Sequence, residues 1–213
     1  DGFGGHGFHR SSFYDDGSGF GGFGGFGGHG SAGFDQKGQD LNASVSVTFD
    51  EAAFGCDKRI TLQDQSGKAQ TLEVHIPAGI DSGKSIRLRG KGMPGTGKGG
   101  AGDLLLKVTV QPKAGYERKG MDVYTTVSIP YTTAVFGGEA RVHTLYGDAM
   151  CKIKEGTQSG SRIRLRGKGI VSMKDANVHG DQYVTVQIQV PRHLNAEARQ
   201  KLMEYKKAAA GGR

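Results

Sequence analysis

The sequence predicts an all-β fold. Two tandem, homologous, small β-sandwich or barrel-like domains are expected, with a Gly/Phe-rich arm before them and a short helix after them. Three observations carry this reading. Short apolar runs alternate with polar residues and are punctuated by Gly, Pro and Asp, the pattern of antiparallel sheet. One stretch of the chain returns later as a recognisable second copy. The first 38 residues have a composition unlike the rest.

Taken in order, residues 1–38 come first. Glycine supplies 38 of the 213 residues, and fifteen of them fall in this arm with seven of the ten phenylalanines. The repeat Gly19-Phe20-Gly21-Gly22-Phe23-Gly24-Gly25-Phe26 has no strand or helix period. Fixing such a backbone costs roughly 1–2 kcal/mol per residue, which spaced phenyl rings cannot offset. The arm is expected to be a flexible tether, either a plain linker or one whose rings dock transiently on a domain or a client. It carries a net charge of −2, against +9 for residues 39–213. A basic body points to an anionic partner, either nucleic acid or an acidic protein surface.

The repeat organises the body. Val45-x-Val47-x-Phe49-x-x-Ala52-x-Phe54-Gly55 returns as Val127-x-Ile129-x-Tyr131-x-x-Ala134-x-Phe136-Gly137. Ile86-Arg87-Leu88-Arg89-Gly90-Lys91-Gly92 returns as Ile163-Arg164-Leu165-Arg166-Gly167-Lys168-Gly169. Gly102-Asp103 and the strand after it return as Gly180-Asp181 and its strand. Residues 40–112 and 122–190 are therefore two copies of one β unit, the second shorter between its second and third strands. The expected domains are 39–115 and 116–193. The tail, 194–213, changes character. Pro191 ends the last strand, Asn195 is a good N-cap, and Ala198, Leu202 and Tyr205 recur at helical spacing. An isolated helix this short is marginal in water, so its apolar stripe must pack on its own domain or on a second chain.

Several signals of chemistry are weak. Gly92-Met93-Pro94-Gly95-Thr96-Gly97-Lys98 fits most of a phosphate-binding loop, but Gly99 stands where the Mg²⁺-binding hydroxyl belongs and a strand follows instead of a helix. A wide hairpin loop fits better. The seven histidines show no metal-ligand spacing, and Cys56 has no evident His or Asp partner. Asp81, Asp103, Asp122 and Asp181 sit at strand edges, where Asp shapes turns. No catalytic residue, metal or cofactor is expected, and the chain is read as not an enzyme. Arg87, Arg89 and Lys91, and Arg162, Arg164, Arg166 and Lys168, form either exposed strand faces or a polyanion-binding ridge. Without interleaved aromatics the ridge suits single-stranded nucleic acid poorly. No apolar run approaches a membrane span. Cys56 and Cys151, the two cysteines, read as free thiols of a reducing, cytoplasmic compartment. A chain beginning at Asp1 is expected to be a fragment of a longer protein.

The combination of a Gly/Phe arm, two related β units, Ile76-Pro77-Ala78-Gly79-Ile80-x-x-Gly83, Arg87-Leu88-Arg89-Gly90-x-Gly92, Gly102-Asp103-Leu104 and Phe136-Gly137-Gly138 resembles the DnaJ, or 40-kDa heat-shock, co-chaperone family. The His-Pro-Asp tripeptide of its J-domain is absent from the sequence, as are the repeated Cys-x-x-Cys zinc motifs; Ser66-Gly67-Lys68-Ala69 bridges the place of the latter. The resemblance is thus to the zinc-less subclass, which also contains curved-DNA-binding proteins. It implies a holdase that passes unfolded clients to a 70-kDa heat-shock chaperone of the DnaK type. It places a shallow client groove at Ala43, Val45, Lys58, Ile60, Leu62 and Leu106, although alternation alone reads these as core. It makes Lys58 and Arg59 candidates to receive an acidic tail of the partner chaperone. It also implies a homodimer through the last helix, with Leu202, Met203 and Tyr205 as contacts. DNA binding by the basic body is the alternative.

Overall fold

Alternating valines, leucines and isoleucines turn one face of each strand into a core, and the fold is all-β with a helix at its C-terminal end. The computed structural model describes residues 35–63 and 69–211. The expectations for residues 1–34 of the arm and for the Ser66–Lys68 bridge lie outside those residues. The first unit contains β1 (Leu41–Val47), α1 (Phe49–Phe54), β2 (Cys56–Gln63), β3 (Ala69–Ile76), β4 (Ser85–Leu88) and β5 (Leu104–Val110). The second contains β6 (Glu117–Lys119), β7 (Asp122–Pro130), α2 (Tyr131–Phe136), β8 (Gly138–Thr144), β9 (Gly147–Ile153), β10 (Arg162–Leu165) and β11 (Gln182–Gln189). The last helix is α3 (Ala196–Ala210).

Each unit pairs a larger sheet with a hairpin. The sheets are ordered β1-β5-β4 and β10-β11-β7-β6, and the hairpins are β2-β3 and β8-β9. The antiparallel expectation holds for the hairpins and for β4–β5 and β10–β11. It fails at the centre of each unit, where β1 runs parallel to β5 and β7 parallel to β11. The reason is topological: β5 and β11 return only after the hairpin and the short fourth strand, a crossover long enough for parallel pairing. Val45, Val47, Val74, Ile76, Ile80, Leu106 and Val108 fill the first core. Ile129, Ala140, Ile153 and Val186, with Val142, Cys151 and Val184 beside them, fill the second.

Strand alternation conceals two six-residue helices. Thr48 caps α1 through a capping box: the Glu51 amide donates to Thr48 Oγ1 at 3.2 Å, and the Thr48 amide donates to Glu51 Oε2 at 2.7 Å. The sequence signal was Thr48-x-x-Glu51. α2 starts at the equivalent place after Pro130 without a side-chain cap. At α3, Asn195 Oδ1 accepts from the Ala198 amide at 2.7 Å, as its N-cap reading predicts, and Glu197 pairs with Lys201.

An aspartate clasp recurs in both units. Asp103 accepts from the Gly90 amide at 2.9 Å and from both Arg87 Nε and Nη2, and its own amide donates to Asp40 Oδ1. Asp181 accepts from the Gly167 amide at 2.8 Å and from Arg164, and its amide donates to Asp122 Oδ1. The glycine amides, with the arginines, hold both carboxyls below the ordinary carboxylate range.

The units are locked together at α1. Phe49 and Ala53 pack with Val123 and Ile170 of the second unit, and Phe54 meets the Tyr146 ring edge-on at 5.6 Å. Arg118 completes the joint. Its guanidinium donates to the carbonyls of Ile80 (2.7 Å) and Gly79 (2.8 Å) and pairs with Asp81 at 2.6 Å. At Gly79 a Cβ would stand 2.1 Å from the Val171 carbonyl oxygen, so only glycine admits this approach.

Two outcomes are expected. Arg118→Ala removes charge-assisted bonds to two carbonyls and is expected to lower stability by about 2 kcal/mol, read from the urea midpoint of the whole chain; an unchanged midpoint would show the joint does not depend on this side chain. Because the Asp103 carboxyl is depressed in the folded state, its contribution is present above about pH 4 and is lost as pH falls through its folded value. Asp103→Asn is therefore expected to lower the neutral-pH melting temperature and to flatten the acid-side loss. A variant whose acid profile overlays the parent's would refute this.

Candidate functional site

Sheet pairing leaves two strand edges of the first unit open. Among the described residues β1 pairs only with β5, and β2 pairs only with β3. The two strands approach through side chains instead. Lys58 Nζ, from β2, donates to the Ser46 carbonyl of β1 at 2.7 Å and to Glu51 Oε2 at 3.3 Å. The Thr48 amide first, and Lys58 next, keep the Glu51 carboxyl below its ordinary range, so it stays anionic beside the ammonium.

Between these edges the side chains fall into two layers. Ala43, Lys58, Ile60 and Leu62 are half-buried, and Ala43 and Ile60 pack on the first core. Val45, two residues along β1 from Ala43, and Leu106, the register partner of Ala43 on β5, are buried. Half-buried apolar groups beside unpaired backbone can take an extended peptide: its main chain extends the sheet and its alternate side chains enter the depression. Arg59 is exposed on β2, opposite Glu73 of β3. Lys58, by contrast, is committed to Ser46 and Glu51.

Other signals take ordinary places. The glycine-rich β4–β5 loop is occupied by residues 35–40. The Lys98 amide donates to Asp35 Oδ1 at 2.7 Å and the Thr96 amide to the Gln36 carbonyl at 3.0 Å. A Cβ on Gly99 would stand 2.0 Å from the Gln36 oxygen. The glycines admit a neighbouring backbone, and these two amides are already committed, not aimed at a phosphate. Arg87 and Arg164 of the basic runs are engaged by the clasps, whereas Arg89, Lys91, Arg162 and Arg166 are exposed. His75 pairs with Asp57 at 2.7 Å and His143 with Asp148 at 2.5 Å. Burial pushes both cysteine thiols up, which disfavours the nucleophilic thiolate. Among the described residues no group of three or more His, Cys, Asp or Glu could hold a metal, and no helix is long and apolar enough to cross a membrane.

A second apolar feature lies at α3. None of its residues is buried, and Leu202, Met203 and Tyr205 are exposed by 43, 60 and 54%. With α2 and the end of β11, α3 borders an open cavity of about 1000 Å³ lined by Tyr131, Val135, Phe136, Val190, Leu202 and Tyr205. A hydrogen bond with Tyr205 pushes the Tyr131 phenol up. Sequence reasoning missed the α2 and β11 side of this cavity. The repeat held the clue: Phe49 and Ala53 of α1 are covered by the second unit and the half-exposed Phe54 touches it at Tyr146, while their counterparts Tyr131, Val135 and Phe136 face the cavity, Phe136 with 78% exposure.

The family model described as DnaJ C terminal domain matches residues 41–191, which span both β units. Proteins named chaperone protein DnaJ are similar to the same region. The one from Lachnospira eligens is 45% identical over 142 residues, 67% of this chain and 38% of that protein. The one from Burkholderia pseudomallei is 46% identical over 145 residues, and that from Burkholderia thailandensis 45% over 145, each covering 68% of this chain and 38% of the relative. The chain thus spans a little over a third of the length of the curated relatives it matches. With a match running from the first residue of β1 to the end of β11, the chain belongs to the DnaJ C-terminal domain family.

Proposed function

We propose that this chain is the client-holding part of a DnaJ-type co-chaperone. It binds extended segments of unfolded polypeptide between β1 and β2 and passes them to a 70-kDa heat-shock chaperone of the DnaK type. The observation that carries this reading is the pair of unpaired edges flanking half-buried Ala43, Ile60 and Leu62. Burying one client Leu or Phe there contributes about 1.5–3 kcal/mol. Affinity on the order of micromolar or weaker follows, which suits capture and release. Lys58 shapes the groove from β2, and the exposed Arg59 is the better placed of the two to meet an acidic tail of the partner chaperone. No chemical step is involved.

The same reading makes the active form a homodimer. A second copy covers the bare apolar face of α2 and α3, and two grooves then share one client with raised effective concentration. The domains for these roles are 39–115 for the client, 116–193 as the second β domain, and 194–213 for dimerisation.

The groove is tested by fluorescence anisotropy of a labelled unstructured peptide containing Leu and Phe. Saturable binding that barely changes between low and high salt is expected. Ile60→Asp, with folding checked by circular dichroism, is expected to weaken it about tenfold or more. Val45 is a poorer target, since a buried aspartate there would disrupt the core. Binding that collapses with salt would point instead to phosphate-type contacts, and duplex DNA would then be the ligand to titrate. For the dimer, light scattering is expected to give twice the chain mass, and Leu202→Asp with Met203→Asp is expected to give the single mass. A parent that runs as a monomer sinks the dimer reading.

A further inference from the structure

The internal repeat allows the two units to be compared position by position at the groove. Ala43, Lys58, Ile60 and Leu62 correspond to Thr125, Ala140, Val142 and Thr144. In the first unit Lys58, Ile60 and Leu62 are half-buried, whereas in the second Ala140, Val142 and Thr144 are buried. The lips of the second groove are β7 and β8, and β8 pairs only with β9. β6 covers only the first three residues of the outer edge of β7, so its remaining length is as unpaired as β1. Strand pairing alone therefore leaves a second peptide edge.

Gln182 closes it. This residue begins β11 and is fully buried. Its Nε2 donates to Thr125 Oγ1 of β7 at 2.9 Å and to the His143 carbonyl of β8 at 3.0 Å. One amide thus ties both lips from below. The His143 carbonyl can only accept, so Nε2 must face it, and Oε1 is left as a buried acceptor with no partner among the described residues. A buried polar group left half-satisfied in a core is a costly choice if its only task is filling space. The first unit shows the cheaper solution. Leu104 stands at the same register, fully buried and unable to make either bond. Ala43, the counterpart of Thr125, offers no hydroxyl.

We propose that Gln182 is a latch that holds the second groove shut, so that an extended client segment enters only the first unit and each chain carries one peptide. The proposal rests on the client-groove reading of the first unit. Its closure is a property of the side chain, not of the strand topology. Removing the two N–H bonds is expected to release β8 from β7 and to expose Val142 beside an unpaired edge.

Two readouts on the full chain separate the latch from the reading beneath it. Calorimetric titration of the same Leu- and Phe-containing peptide is expected to give one site per chain for the parent and, for Ile60→Asp, that site weakened about tenfold or more and no longer resolved at the parent's titration concentrations. Gln182→Leu is expected to give two sites, and the Ile60→Asp/Gln182→Leu double variant one. A folded Gln182→Leu chain that still binds one peptide overturns the latch and leaves the first groove standing. A parent with two sites, one surviving Ile60→Asp, also overturns it. A parent with no site overturns the groove reading and the confinement of clients with it. Hydrogen exchange tests closure without any client: amides of residues 139–144 are expected to exchange faster in Gln182→Leu, and unchanged protection refutes the latch. Should Gln182→Leu fail to fold, Thr125→Val removes one of the two bonds and is expected to raise exchange in the same segment; no change there counts equally against it.

Discussion

Parallel pairing of β1 with β5, and of β7 with β11, is the constraint on which the rest depends. A parallel pair has no tight hairpin to set its register, and a one-residue slip would turn the whole valine face outward. The aspartate clasp supplies the missing reference. Asp40 holds the Asp103 amide, and the Leu41 amide donates back to the Asp103 carbonyl at 2.8 Å. Asp122 and Asp181 repeat the arrangement, with the Val123 amide on the Asp181 carbonyl at 2.9 Å. The carboxylates of Asp103 and Asp181 in turn accept from the Gly90 and Gly167 amides in the turns after β4 and β10. One residue type at one place thereby fixes three strands. Because β1 is then paired from β5 alone among the described residues, its other edge is left unpaired, and the proposed groove depends on that register.

The joint between the units fixes where the groove points. Phe49 and Ala53 of α1 pack into the second unit and Phe54 meets Tyr146 at its surface, while Arg118 reaches back to the turn after β3. A guanidinium with little solvent access needs these acceptors, and burial would otherwise favour its loss of charge. Apolar cover and buried charge act together here. The rings supply most of the favourable area, and the arginine penalises any other docking angle that would strip its partners.

Much of this was legible in the sequence, for reasons that differ by element. The repeat, the all-β class and the last helix follow from patterns local to the chain: alternation, turn residues and the Asn195 cap. Strand direction does not, because alternation is the same in parallel and antiparallel pairs. The helices α1 and α2 were hidden because one and a half turns carry too few residues to establish a period, although Thr48-x-x-Glu51 marked the first. At the groove, spacing could not separate lining from floor. Ile60 and Leu106 are equally apolar in sequence, but Ile60 sits on the open-edged β2 and is half-buried, while Leu106 sits on the central strand β5 between β1 and β4 and is fully buried. Lys58 and Arg59, neighbours in the chain, point to opposite faces of β2, so one is bound within the protein and the other is exposed.

The two halves of the repeat also argue about what lies beyond the chain's own surface. In tandem structures each unit covers its predecessor, and the last one needs a different solution. Here α1 is covered by the second unit. α2 carries bulkier groups at the same positions, Tyr131 for Phe49 and Val135 for Ala53, and among the described residues no further β unit receives them. α3 leans over that face but leaves the cavity of about 1000 Å³ rather than filling it. Protein interiors close to near-crystalline density when they can. A helix that holds its apolar side chains open on both sides is poorly explained as a lid for its own domain. The bare face is accounted for by the homodimer proposed above, in which an identical chain would supply the other half of the interface.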